Sequence, residues 1–237
     1  TVPSGGIGIN LVTKRGTNKF RGGARGFLTH DDLQGSNLPA ALVGDPRLEK
    51  PDGTFRDKAD HIQQINDYGF DLGGPIIKDK LWFYGSWGKQ DIRLVRLVGT
   101  TDSTQLTSYN AKLNWQATGN TMVSAFFFDG IKSKTGRSPG SGLNEPDTFL
   151  WDQANAYEEN RPHGLWKLEV SQTFSPNFFV SAKAAYYNTG FGLISRNPDQ
   201  SYTYDYVAGQ TVGNYYDYFP VRPQKTLDAD ANYFAQG

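Results

Sequence analysis

The sequence predicts an all-β fold, an antiparallel meander of about seven complete strands and the start of an eighth, laid out as in a transmembrane β-barrel. Three observations predict it. Apolar and polar residues alternate with period two over successive segments. Those segments are joined alternately by very short turns and by long polar stretches, the asymmetry with which outer-membrane barrels are built. The composition is rich in aromatics and glycine, with 13 Tyr, 15 Phe, 5 Trp and 27 Gly among 237 residues, yet only 37% of residues are apolar. Composition alone leaves a soluble aromatic-rich β protein open beside the barrel.

In chain order, the first seventeen residues do not read as a barrel strand, and a strand opens near Phe20. The first hairpin runs from Tyr68 to Ile77, turns at Lys78-Asp79-Lys80 and returns from Leu81 to Leu94. Gly73-Gly74-Pro75 suits a bend near a strand end, because proline lacks a ladder donor. The clearest strand is Gln105 to Gln116, with Tyr109, Ala111, Leu113 and Trp115 on one face and Asn110, Lys112, Asn114 and Gln116 on the other. After Ala117-Thr118-Gly119-Asn120 the chain returns through Ile131, and Gly-Asn is hairpin chemistry because both residues tolerate positive φ. A third hairpin pairs Leu165–Phe174 with Phe178–Phe191 across Ser175-Pro176-Asn177, and a last strand begins at Leu227 and runs to Phe234. Between the hairpins, roughly His30–Asp67, Lys132–Pro162 and Ser195–Thr226 read as loops, far beyond the usual connection length. Several strands reach the roughly 9 to 11 residues needed to cross a bilayer on a tilt. Tyr109, Trp115, Trp166, Phe174 and Tyr186 read as interfacial girdle residues.

Two motifs carry a family resemblance. Gly5-Gly6-Ile7-Gly8-Ile9-Asn10-Leu11-Val12-Thr13-Lys14-Arg15-Gly16-Thr17-Asn18-Lys19-Phe20-Arg21-Gly22 resembles the end of the plug domain and the entry to the first barrel strand in TonB-dependent outer-membrane receptors. Gly69-Phe70-Asp71-Leu72-Gly73-Gly74-Pro75-Ile76-Ile77-Lys78-Asp79-Lys80-Leu81-Trp82-Phe83-Tyr84-Gly85-Ser86 is similar to the second and third barrel strands of the Oar-like branch. Beyond about Gln90 the likeness is one of layout only. The resemblance implies a ligand-gated transporter of a Gram-negative-type outer membrane, its plug moved by the inner-membrane TonB complex with proton-motive force. Such barrels have about 22 strands. The chain is therefore expected to hold the plug's C-terminal end and linker at 1–17 and the first barrel strands with their extracellular loops at 18–237, as a fragment lacking the TonB-contacting segment.

The remaining chemistry is narrow. Basic and acidic residues balance at 24 each, which removes the electrostatic case for nucleic acid. The absence of cysteine excludes disulfides, thiolate metal sites and a thiol nucleophile. No apolar run approaches the about twenty residues of a transmembrane helix. No initiator Met or apolar leader opens the chain, so any targeting signal is expected to be removed or to lie upstream. Asn144-Glu145-Pro146 resembles a glycosidase acid/base tripeptide but sits in a Pro/Gly loop without a β/α pattern. Asp228-Ala229-Asp230 opens like a calcium loop, yet Tyr233 stands where glycine is required, and strand residues facing a wet lumen are the better reading. His30, His61 and His163 lack ligand spacing, and Gly5-Gly6-Ile7-Gly8 lacks the third glycine and the helix of a nucleotide fingerprint. No catalytic residue, metal site or cofactor is expected.

Ligand or plug contacts are expected from lumen-facing Lys112, Asn114, Lys167, Glu169 and Lys183, and from the loop tyrosines Tyr202, Tyr204, Tyr206, Tyr215, Tyr216 and Tyr218. Tyrosine gives rigid amphipathic contact at low entropic cost, although an interfacial girdle or a self-packed loop explains that cluster as simply. The expected partners are outer-membrane lipid, the TonB complex through absent plug segments, and a small-molecule, peptide or glycan ligand. A passive porin or small structural barrel shares the strand layout, and a soluble carbohydrate-binding β-sandwich shares the aromatics.

Overall fold

A computed structural model describes residues 13–97, 101–137, 151–196, 199, 201, 203–207, 210–212 and 217–234. Eight long strands form one antiparallel path: β1 (Arg21–His30), β2 (His61–Ile77), β3 (Leu81–Val95), β4 (Thr101–Thr118), β5 (Thr121–Arg137), β7 (Gly164–Ser175), β8 (Phe178–Asn188) and β12 (Gln224–Tyr233). These are the strands the periodicity predicts, most of them extended at an end; β8 stops at Asn188 rather than Phe191, and the last strand is a full ten residues that begins at Gln224 rather than Leu227. The sheet is open, with β1 and β12 at its two edges.

One short strand occupies what the sequence presents as loop, and a second runs from the expected end of the return strand at Phe191 to Ser195. β6 (Trp151–Asn155) pairs with the upper part of β5 and with β9 (Phe191–Ser195), which follows β8 in the chain. β6 and β7 therefore share one slot beside β5, one above the other. The Asn155 side chain makes the join, accepting from the Lys132 N–H at 2.6 Å and donating to the Gly130 carbonyl at 2.9 Å. A separate ribbon pairs β10 (Thr203–Asp205) with β11 (Gln210–Val212).

Register puts alternate residues of neighbouring strands on the same face. Leu113, Ala125, Leu168, Ala184 and Leu227 form one row, and Ala111, Phe127, Trp166, Tyr186 and Lys225 form the next. This apolar face is the exposed one: Leu113, Trp115, Trp166, Leu168 and Val170 are all open, with Leu168 at 49%. The polar face is the better covered, with Asn114 buried. Among the described residues Leu48 is the one buried large apolar side chain, and it lies in a loop. A soluble sandwich would bury its apolar faces against each other; this sheet turns its apolar face outward, as a membrane barrel does toward lipid.

Aromatic side chains band the outer face. Phe70 and Trp87 lie 5.7 Å apart and Phe127 and Trp166 4.6 Å apart, while Trp115 and Phe174 lie near the short turns.

The turns differ in detail from expectation. The β4–β5 turn is only Gly119-Asn120, and neither residue takes a positive φ. The left-handed residue is instead Asp79 (φ 59) in the β2–β3 turn, where the Lys80 N–H donates to the Ile77 carbonyl at 3.1 Å. Pro75 sits at a register shift, as a missing donor requires.

The long β1–β2 connection is built on its own polar side chains. Asn37 donates to the Asp60 carbonyl and accepts from the Ala59 N–H, both at 2.9 Å. Asp45 caps a short 3-10 turn at Pro46–Leu48, and the Arg47 guanidinium beside it holds its carboxyl down at about 2. The β3–β4 connection is short, and Asp102, 1% exposed, is bridged there by Lys134 at 2.7 Å and Arg96 at 3.1 Å.

Candidate functional site

The polar face of the sheet carries five of the residues singled out in the sequence. Register aligns Tyr84, Lys112, Phe126 and Lys167 in one row, and Trp82, Asn114, Ser124, Glu169, Lys183 and Asp228 in the next. Period-two alternation forces this: every second residue of each strand falls on this face. Lys167 and Glu169 pair at 3.0 Å along β7, Lys183 reaches Asp230 at 3.5 Å, and Glu169 and Lys183 stand directly opposite one another. Asp228 and Asp230 are strand residues on this wall. The Asn114 amide donates to the Ser124 hydroxyl at 3.1 Å, while its buried Oδ1 has no partner among the described residues.

Onto this wall the segment before β1 is fastened through four of its residues between Thr13 and Asn18. Lys112 Nζ donates to the Thr13 hydroxyl at 2.9 Å. Lys14 Nζ donates to Asp71 Oδ2 at 3.1 Å, which raises the lysine's pKa, the hydrogen bond being the larger cause. Gly16 is buried, and a Cβ there would lie 2.1 Å from the Phe83 carbonyl oxygen. Asn18 reads the β2–β3 turn: its Oδ1 accepts from the Asp79 N–H at 2.9 Å and from Trp82 Nε1 at 2.7 Å, and its amide donates to the Asp79 carboxylate.

This seat explains the paired glycines of β2. Gly73 has the Gly16 Cα within 3.4 Å of where its Cβ would stand, while a Cβ at Gly74 would meet the Phe20 ring at 2.3 Å. Close approach is what glycine supplies here, beside the register shift at Pro75. Between the segment and the first strand lies a crevice of about 370 Å³ lined by Lys14, Arg15, Arg21, Asp71 and Tyr84 among others.

Among the described loop tyrosines, two pair with each other and one joins the sheet. Tyr204 and Tyr206 meet edge to face at 4.8 Å and stay exposed. Tyr218 instead joins β9, exchanging both backbone hydrogen bonds with Leu193 at 2.8 and 2.9 Å and setting its ring 6.0 Å from Phe191. Tyr202, Tyr215 and Tyr216, the Asn144-Glu145-Pro146 tripeptide and the Gly5–Val12 part of the first motif lie outside the described residues.

Sequence reasoning missed Asn18, Asp71 and Asp79 as site residues. Their partners lie 57 to 64 residues apart, and no local period connects them. The signal available was the Thr17-Asn18 pair inside the first motif.

Comparison with known proteins agrees with this geometry. Residues 12–101 match the family described as an outer membrane beta barrel domain. Over 84 residues the chain is 36% identical to the TonB-dependent transporter Oar of Myxococcus xanthus, an alignment covering 35% of this chain and 7% of that protein. No solved structure matches the chain. The chain therefore carries an outer-membrane β-barrel domain over residues 12–101, and the part it shares with Oar is a small fraction of that transporter's length.

Proposed function

We propose that this chain supplies the first barrel strands, and the end of the plug, of an outer-membrane transporter that takes up its ligand with energy from the TonB complex. Residues 1–17 are then the plug's last segment and linker, and 18–237 the strands and extracellular loops. The observation that supports this reading most is the seat of Thr13–Asn18 on the polar wall: a chain segment fastened across the inner face of a barrel belongs to something that fills the barrel. An open porin has no use for it.

On this reading Lys112, Asn114, Lys167, Glu169 and Lys183 hold the plug through hydrogen bonds and charge pairs that a wet, part-buried wall makes reversible. Ligand contact falls to the upper loops, with Tyr204 and Tyr206 as exposed aromatic surface and Tyr218 as part of the supporting wall. No residue performs covalent chemistry, and TonB contact comes from plug segments outside this chain.

The test is conductance. The full-length polypeptide, purified from outer membranes and placed in planar bilayers, is expected to be closed at rest and to open when mild urea or deletion of the N-terminal plug frees the lumen. A large resting conductance that plug deletion does not change would assign the chain to a passive porin instead.

A further inference from the structure

We propose that the outer face carries a seat for a net-anionic, phosphate-bearing lipid of the outer leaflet: an apolar groove over β4, β5, β7 and β8 with Arg161 and Lys225 at its upper end. The groove encloses about 840 Å³, within the roughly 300–1,000 Å³ of sites that hold a small molecule. Its depth comes from sequence. Ala111, Ala125 and Ala184 leave room on the outer face where Leu113, Leu168 and Trp166 stand as walls. A lipid-facing surface needs only to be apolar; nothing in that requirement calls for a depression with two cations at one end.

The cations are placed rather than scattered. Lys225 opens β12 directly opposite Tyr186. Arg161 sits in the loop between β6 and β7, and that loop is fixed from both sides. Asn188, fully buried, accepts from the Glu158 N–H at 2.8 Å and donates to the Glu158 carbonyl at 3.1 Å. Tyr157 stacks on His163 at 3.7 Å with the rings 3° from parallel, and Trp166 Nε1 donates to the His163 carbonyl at 2.8 Å. The Glu158 carboxylate is turned to the Tyr186 hydroxyl at 3.2 Å.

Guanidinium and ammonium groups above an apolar slot match a phosphate headgroup above acyl chains. Arginine's planar fork suits phosphate oxygens, and tryptophan at the boundary suits the headgroup level. The proposal rests on the membrane placement of this sheet and is independent of transport.

The test is native mass spectrometry of the full-length protein in detergent, with phosphatidylglycerol or phosphatidylcholine of identical chains added at equal concentration, and inorganic phosphate as a third probe. The expected result is retention of phosphatidylglycerol over phosphatidylcholine by about tenfold or more, the scale two surface cations supply, with no retention of inorganic phosphate. Arg161→Gln with Lys225→Gln should equalise the two lipids. Ala125→Leu with Ala184→Leu, which fills the groove and leaves both cations, should lower retention of both. Heat-modified electrophoretic mobility reports barrel integrity for each variant. Equal retention by the wild type, a preference that survives loss of both cations, or retention of inorganic phosphate alone would overturn the proposal, and each of these outcomes leaves the conductance result untouched.

Discussion

Two residues set the terms of the linker seat. Gly16 has no space for a Cβ against the Phe83 carbonyl oxygen, whereas a Cβ at Gly35 would meet nothing within 4 Å. Gly16→Ala is therefore expected to lift the Thr13–Asn18 segment and expose it to protease while the strands stay intact, and Gly35→Ala to do neither. Asn18→Ala leaves the Trp82 indole and the Asp79 N–H without their acceptor, at about 1 kcal/mol for an exposed neutral bond; it should increase clipping of the segment less than Gly16→Ala does. Limited proteolysis of outer-membrane vesicles checks both. In the β1–β2 loop, Asp45 has a carboxyl held at about 2 chiefly by its hydrogen bond from the Arg47 side chain. A depressed carboxyl contributes order that is full above its ordinary value of 3.8 and is lost as pH falls through about 2. Pepsin should cut near Pro46–Leu48 only toward the bottom of that window, and Arg47→Ala should move the onset up toward the ordinary value. None of these partnerships is legible in sequence. Asn18 and Trp82 are 64 residues apart, and only the folded register brings them together.

At the scale of the strand, legibility follows the period. Tyr109 to Gln116 alternates without a fault, so its two faces are readable from the residue types alone. β6 escapes the same reading because Trp151–Asn155 offers five residues without a clear apolar alternation. The Gly119-Asn120 turn shows the opposite failure: the residue types permit positive φ, but permission is not use. Gly73 and Gly74 were legible as special, but their close contacts with Gly16 and Phe20 were not, since these come from outside the strand. Alternation also fixes what a charge does. Leu168→Lys places an ammonium on the lipid face, where the cost is about 2–4 kcal/mol at mid-depth. Ser171→Lys, on the polar face of the same strand, should cost much less. Urea-dependent folding of the full-length protein into lipid vesicles measures the difference, and equal costs would mean that β7 does not face lipid.

For the whole molecule, the inversion of the usual burial pattern is the organising fact. Apolar rows such as Leu113, Ala125, Leu168 and Ala184 lie outside, while Lys112, Asn114, Lys167, Glu169 and Lys183 share the inner wall. The fold class was legible because this inversion is written in alternation, turn length and aromatic content together. The face that holds Thr13–Asn18 was legible as polar, but no local pattern announced the segment seated on it. An open sheet in hydrocarbon leaves edge backbone groups unsatisfied at several kcal/mol each, so β1 and β12 must be paired in the membrane.

The central claim is that alternate residues of one strand see lipid and water. This chain has no cysteine, so single cysteines at each position from Leu165 to Gln172 can carry a spin label in the full-length protein in outer-membrane vesicles, with any cysteine elsewhere in the polypeptide replaced by serine. Collision with oxygen, which concentrates in the bilayer, and with a water-soluble nickel chelate then reads the environment of each site. A period of two is expected, with oxygen favoured at Trp166, Leu168 and Val170 and the chelate favoured at Lys167, Glu169 and Ser171. Equal access of the chelate to both sets would contradict the claim.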